Sequence, residues 1–196
     1  YHRLRADTSI TYPNTALYTD EILTKTFYDN YDWRTVEGNP LSATIDTTNK
    51  NYLLSASNAT WPYAQTIDQS NQIRGKVTGT KTKVLNTSTY LYAVSFYDEK
   101  ARTVQVQSQN ITTGTDVVTT QYSWAGQVLL TIAKNEKAVT NAQTSVMLTQ
   151  MTYDSLGRVT KVEKKVSNTK VSGGSMPGSW KTILQNEYDA LGQLRK

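Results

Sequence analysis

Tyr153-Asp154-Ser155-Leu156-Gly157-Arg158-Val159-Thr160-Lys161-Val162 reads as the turn of an antiparallel hairpin followed by the opening of its second strand. Asp at the first turn position accepts a hydrogen bond from the backbone N–H two residues on, and Gly at the fourth enters the left-handed region at little cost. A type I turn with a bulge-type Gly joins two such strands. The tyrosine before the turn is expected to lay its ring on the sheet with its hydroxyl in water, and the arginine after it to reach the turn carbonyls. Three further segments follow the pattern: Tyr97-Asp98-Glu99-Lys100-Ala101-Arg102, Tyr122-Ser123-Trp124-Ala125-Gly126-Gln127 and Tyr188-Asp189-Ala190-Leu191-Gly192-Gln193. Ala101 in place of Gly and Ser123 in place of Asp predict a different turn type in those two copies.

Outward from the turns, apolar residues recur at every second position, the period of a half-buried strand. Tyr90, Tyr92, Val94 and Phe96 share one face of Tyr90–Tyr97. In the strand after it Val104 and Val106 face one way, with Thr103, Gln105 and Gln107 on the other, wet side. Further strands are expected at Asp116–Trp124, Gln127–Ala133, Ser145–Tyr153, Arg158–Val166 and Trp180–Tyr188. A short helix near Thr19–Lys25 is the one helical expectation, and Val166–Trp180, with Gly173-Gly174 and Pro177-Gly178, reads as a flexible connector. The predicted class is all-β, an antiparallel sheet built from successive hairpins. Residues 76–196 hold the repeats and residues 1–75 an irregular region of strand and loop. Because a lone hairpin is marginal in water, successive hairpins are expected to line up into one extended sheet.

The four segments resemble the YD repeats of RHS and YD-repeat proteins, with Tyr153–Val162 and Tyr188–Leu194 the most typical copies. Within the pattern the resemblance assigns structural roles to Tyr97, Asp98, Arg102, Tyr122, Gly126, Tyr153, Asp154, Gly157, Arg158, Tyr188, Asp189 and Gly192. What it implies is a β-strip that spirals into a hollow shell in secreted or surface-exposed bacterial proteins, able to enclose a toxic C-terminal polypeptide. The expected partners are the neighbouring repeats of a longer chain and a C-terminal toxin domain. The start at Tyr1-His2-Arg3 and the stop at Gly192–Lys196, inside what reads as a strand, match the expectation of a piece excised from a longer protein.

Composition narrows the chemistry. The 196 residues include no Cys and one His, which leaves no disulfide framework, thiolate zinc site or thiol nucleophile. A Ser-His-Asp mechanism would hang on His2 at the chain start. Hydrophobic residues make up 37%, and with Gly exchanged for Tyr in the count the fraction stays below the roughly 45–50% of an ordinary globular domain. A thin core and a sheet one layer thick are therefore expected. No run approaches the roughly 18 apolar residues of a membrane span.

Sharper readings of single clusters fare less well. Asp29, Asp32 and Glu37 lie together but miss the ligand spacing and central Gly of a calcium loop. Asp20, Glu21, Asp46, Asp68 and Glu136 are scattered without the pairing that glycoside hydrolysis needs. The net charge of +5 comes in part from Lys76, Lys81, Lys83, Lys161, Lys164 and Lys165, which alternate with Thr, Val and Glu as on the wet face of a sheet. That pattern argues for a solvated surface, not a nucleic-acid site. No catalytic residue, metal ligand or cofactor is assigned. The rival to a scaffold is an extracellular carbohydrate-binding module, with Trp33, Trp61, Trp124 and Trp180 as a platform for surface glycans.

Overall fold

The computed structural model describes residues 21–195. Nine strands run in chain order: β1 (Thr24–Tyr28), β2 (Val77–Lys83), β3 (Tyr90–Tyr97), β4 (Thr103–Gln109), β5 (Thr115–Tyr122), β6 (Val128–Lys137), β7 (Gln143–Tyr153), β8 (Val159–Asn168) and β9 (Lys181–Gln185). Each pairs antiparallel with the next, giving one open nine-stranded sheet in the order β1 to β9. Where a helix was expected near Thr19–Lys25, Thr24 and Lys25 belong to β1. The apolar spacing there is too brief to hold a helix, whereas pairing with β2 satisfies the backbone, as in the bond from Lys83 N–H to the Leu23 carbonyl at 2.8 Å. Thr19, Asp20 and His2 lie outside the described residues.

All four turns share one geometry. The N–H groups of Asp98, Ser123, Asp154 and Asp189 donate to the carbonyls of Arg102, Gln127, Arg158 and Gln193 at 2.8–3.0 Å. Ala101, Gly126, Gly157 and Gly192 close the inner ring on the first turn residue, all with positive φ. The two departing copies therefore do not change turn type. The Ser123 hydroxyl accepts from Gln127 N–H at 3.0 Å, as the Asp154 carboxylate accepts from Arg158 N–H at 2.9 Å. Ala101 holds φ 62°, a conformation that costs a residue with a Cβ roughly 1–2 kcal/mol. The arginines do not reach for the carbonyls of their own turns. Arg102 and Arg158 donate through Nε to Asp98 and Asp154 at 2.6 and 2.7 Å. The Arg158 backbone N–H, with its guanidinium, holds the Asp154 carboxyl below the usual carboxylate range.

Just before the turns at Asp98, Ser123 and Asp154 the strand register slips by one, between Phe96 and Tyr97, Gln121 and Tyr122, and Thr152 and Tyr153, and it slips likewise between Phe27 and Tyr28. The slips leave Thr78, Val104, Leu129 and Thr160 unpaired opposite the tyrosines, and the first three are fully buried. The tyrosine hydroxyls are not wet. Tyr97, Tyr122, Tyr153 and Tyr188 donate to the carbonyls of Val77, Thr103, Val128 and Val159 at 2.7–3.0 Å. Each acceptor is the residue that pairs with the tyrosine of the preceding unit. Lys76, Arg102 and Arg158, each the residue after a turn, lie over the rings of Tyr97, Tyr122 and Tyr188 in turn.

The outer bond of that geometry recurs at Tyr28-Asp29, in the Phe27–Trp33 stretch whose Tyr-Asp pairs the resemblance reads as an approach to a degenerate repeat, but the inner bond differs: Gly75 reaches the Asp29 carboxylate, not its carbonyl, and Asp29 itself has φ 71°. Asp29 N–H donates to the Lys76 carbonyl at 3.2 Å, Gly75 N–H donates to the Asp29 carboxylate at 2.5 Å, and Gly75 has φ 75°. Tyr28 then pairs with Val77 across a bulge. Residues 30–74 are thus an excursion out of one turn of the array. They contain the short helix α1 (Trp33–Val36) and a 3-10 turn at Lys50–Tyr52, and they fold back over one face of the sheet.

That face carries the core, so the sheet is not one bare layer. Phe27, Trp33, Leu41, Tyr92, Val94, Phe96 and Val104 form one cluster, with Trp33 stacked on Phe27 at 4.1 Å between centroids. Gly79 is required beneath Trp33: a Cβ there would lie 2.1 Å from the indole ring. A second cluster joins Leu130, Ile132 and Leu148 with Tyr52 and Leu53 from the excursion and with Met176 and Trp180. The expected flexible connector is therefore two different things. Its start extends β8 to Asn168, and its end packs on the sheet, with Lys165 Nζ donating to the Gly178 carbonyl at 2.7 Å.

Ala101→Gly relieves a strained turn and is expected to raise stability by about 0.5–1 kcal/mol after the entropic cost of glycine. Gly157→Val is expected to lower it by about 1–2 kcal/mol. Urea melts of the two variants and the parent check both signs, and equal midpoints would refute the shared turn geometry.

Candidate functional site

The excursion is fixed to the sheet by three buried glutamines, of which Gln105 and Gln107 were expected on the face away from the valines. Gln105 and Gln121 are each only 1% exposed. A sheet with few large apolar side chains leaves polar backbone in the layer above it, and a primary amide can satisfy an N–H and a C=O at once. Gln105 accepts from Asp46 N–H at 2.7 Å and donates to the Asp46 carbonyl at 2.9 Å. Gln121 accepts from Leu54 N–H and donates to the carbonyls of Leu54 and Gln65, all at 2.9 Å. Gln107 reaches the Thr44 carbonyl at 3.0 Å. Each amide plays the part of an absent strand.

A second anchor is Glu37, at the end of α1. Its carboxylate pairs with Lys25 and, at 2.9 Å, with Lys81. Its carbonyl accepts the Tyr92 hydroxyl at 2.6 Å. Hydrogen bonds from Lys25 and Lys81 hold the Glu37 carboxyl below the ordinary range and push Lys81 up. Tyr31 donates to the Ser95 carbonyl at 2.9 Å, and burial pushes its phenol up to about 12.

With the excursion in place, three aromatic rings meet at the turn end of the sheet. Trp124 occupies the second position of the β5–β6 turn, and its N–H donates to the Tyr63 carbonyl at 2.9 Å. Ala64 bridges to Ser123 beside it. Trp61 and Tyr63 meet edge to face at 5.7 Å. Trp61 is 50% and Trp124 62% exposed. Asn58, Tyr63 and Trp124 line a shallow hollow of about 260 Å³. Lys100, from the neighbouring turn, sits 4.3 Å from the Trp124 ring and donates to its carbonyl at 2.9 Å. A rigid, open aromatic surface edged by an amide and an ammonium suits the faces of pyranose rings.

The structure divides the tryptophans expected to form a platform. Trp33 is buried, with Nε1 donating to Thr78 at 3.1 Å, and Trp180 packs on the second core cluster. These two are removed from any surface platform by the need of an apolar-poor chain for large rings in its core. Trp61 and Trp124 remain exposed, each beside Tyr63. Tyr63 and Asn58 were missed because only the excursion brings them beside Trp124, and Lys100 because only the pairing of neighbouring hairpins does.

The carboxylates of the calcium-like cluster serve other ends: Asp29 closes the interrupted turn and Glu37 holds lysines. Asp46 lies 3.9 Å from Lys134, and Asp68 accepts from Thr66 at 2.5 Å. Among the described residues there is no group of three His, Asp or Glu placed to hold a metal ion, and no helix long and apolar enough to cross a membrane. The lysines do not all stand on a wet face. Lys81 is held inside by Glu37, and Lys164 and Lys165 point to opposite faces of β8, since successive residues of a strand do. No family model matches the chain, and no curated protein matches it.

Gln121→Leu leaves two carbonyls and one N–H of the excursion without partners and is expected to cost about 2–3 kcal/mol. Its signature is faster hydrogen exchange at the Leu54 amide while β7–β8 amides stay protected; unchanged exchange at Leu54 would refute the anchoring. Glu37, with its carboxyl pKa lowered on folding, adds stability that is complete above its unfolded pKa of roughly 4.3 and is lost as pH falls through its lower folded value. Glu37→Gln is expected to flatten that acid limb, measured by melts between pH 2 and 6.

Proposed function

We propose that the chain is a segment of a YD-repeat strip in a larger secreted or surface-exposed bacterial protein, where it works as scaffold or shell wall and carries out no catalysis of its own. The observation that supports this reading most is the recurrence of one unit, made of turn, bulge and tyrosine bond, in register across the sheet. A sheet made this way grows by one hairpin at a time, and each hairpin needs a neighbour. β9 is exposed along its whole length, as suits a strand that another hairpin of the same full-length protein would cover. In this reading its natural partners are further repeats and, within the enclosed space, a C-terminal toxin domain. The seating of Asp98, Asp154 and Asp189 and of Tyr97, Tyr122, Tyr153 and Tyr188 in backbone bonds accounts for residues that would otherwise invite a catalytic reading.

The wall reading is tested by lengthening the chain after Lys196 with a copy of Val162–Asn168, which continues the strand that follows the Asp189–Gln193 turn. The expected result is protection of the Lys181–Gln185 amides from hydrogen exchange and a higher melting midpoint. Exposed β9 amides in the lengthened protein would count against growth by hairpins.

A second reading, recognition of surface glycans, is favoured by the patch of Trp61, Tyr63 and Trp124. On a glycan array, binding that falls at least tenfold in Trp124→Ala and Trp61→Ala is expected, the size of one lost stacking contact of about 1.4 kcal/mol or more. An array without hits would remove this reading and leave the wall reading untouched.

A further inference from the structure

Between the two core clusters the excursion does not close on the sheet. A cavity of about 340 Å³ remains, open on one side to solvent. Its floor is Val117 and Ile132 from β5 and β6, and its walls are Ile45, Leu53, Leu54 and Ile67 from the excursion. The apolar part of the lining is aliphatic, without an aromatic ring, and shares the cavity with polar residues that include Asp46, Lys50, Asp68, Thr119 and Gln121; the volume lies within the range of small-molecule sites. We propose that this cavity of about 340 Å³ binds a neutral ligand with an aliphatic chain of up to about eleven carbons, taking each methylene as roughly the 30 Å³ of a water molecule.

Three features select that class. At the floor the Gln121 amide is held by Leu54 and Gln65, and the Thr119 oxygen accepts from Gln105 at 2.8 Å. A hydroxyl or amide pushed between Val117 and Ile132 would exchange its hydration for aliphatic side chains, with at most the Thr119 O–H left to bond, so the inner part of the ligand is hydrocarbon. The mouth carries charges of both signs, Asp46 and Asp68 with Lys50, so neither an anionic nor a cationic head is singled out. The walls are held open by bonds that tie the excursion to the sheet and to itself. Gln105 fixes Asp46, Gln121 fixes Leu54, and Gln69 fixes Ala43 and Ile45 at 3.0 and 3.2 Å. Collapse would break these bonds, whereas an alkyl chain fills the space and leaves them intact.

The cavity is distinct from the aromatic patch and does not depend on either reading of the proposed function. Titration of the full chain with 1-octanol, followed by methyl NMR, tests it. The expected result is saturable shifts confined to the methyls of Ile45, Leu53, Ile67, Val117 and Ile132, with a Kd on the order of 0.1–1 mM. Octanoate and octylamine are each expected to bind more weakly than the alcohol. Ala56→Phe, an exposed position on the lining, is expected to abolish the shifts at an unchanged melting midpoint, and Thr66→Trp, at an exposed rim position, serves if that variant does not fold. Shifts that rise linearly without saturation, that spread over the exposed face, or that survive the blocking substitution would overturn the proposal. Tighter binding of either charged homologue would overturn the neutral class.

Discussion

The bond from each tyrosine hydroxyl to the carbonyl beside the preceding turn is the constraint on which the array rests. An antiparallel hairpin fixes the register inside itself through its turn, but nothing in the turn says where the next hairpin must sit. The tyrosine supplies that information. Its ring spans from one unit to the one before, and its hydroxyl finds the one carbonyl whose strand has just slipped by a residue. Tyr122 to Thr103 and Tyr153 to Val128 repeat the contact across hairpins whose connectors differ in length. The bulge and the tyrosine are therefore one device. Beside each slip the carbonyl of Val77, Thr103, Val128 or Val159 accepts from the next tyrosine, and over the rings of Tyr97, Tyr122 and Tyr188 lies the lysine or arginine that follows a turn.

The glutamines solve a different problem. A sheet with two faces and few large apolar residues has to bury at least one of them, and here the cover is loop backbone with its own N–H and C=O groups. Apolar side chains beneath it would leave those groups stranded. Gln105, Gln107 and Gln121 instead act on the excursion as a strand edge would, so a segment with little secondary structure of its own sits firmly on the sheet. The result is a polar core layer between two small apolar clusters, and the gap between those clusters follows from it.

The hairpins were legible because their causes are local. Asp154 and Gly157 answer demands made within five residues, and the alternation of Tyr92, Val94 and Phe96 shows directly which side is buried. Ala101 and Ser123 looked like departures, yet Ser123 keeps the acceptor that the turn needs and Ala101 tolerates the strain, so the geometry survives both. The excursion was not legible for the opposite reason: Asp29 and Gly75 belong to one turn but stand far apart in the sequence, and no spacing rule joins them. The same distance hid the glutamines, whose partners Asp46 and Leu54 come from that segment. It also hid the patch, where Trp124 could be read as exposed in a turn but its neighbours Tyr63 and Asn58 could not be placed.

An excursion leaving from a turn has a consequence for how such a sheet is elaborated. A turn is the one point in a hairpin where residues can be added without disturbing the ladder on either side, provided that the two ends still meet. Asp29 N–H and the Lys76 carbonyl close the ends here as Asp154 N–H and the Arg158 carbonyl do, with the Asp29 carboxylate holding Gly75 N–H, and β1 still pairs with β2 to the end of its length. The added segment then covers only one face, the side of Phe27, Val94 and Leu130. The other face keeps a row that crosses five strands, Val106, Val118, Ala133, Met147 and Val166, in direct cross-strand register. Val118 and Val166 in that row stay exposed. The two faces thus carry different chemistry along the same strands: one is built over by chain returning from a turn, and the other presents an apolar line that runs across the hairpins and would lengthen with each hairpin added.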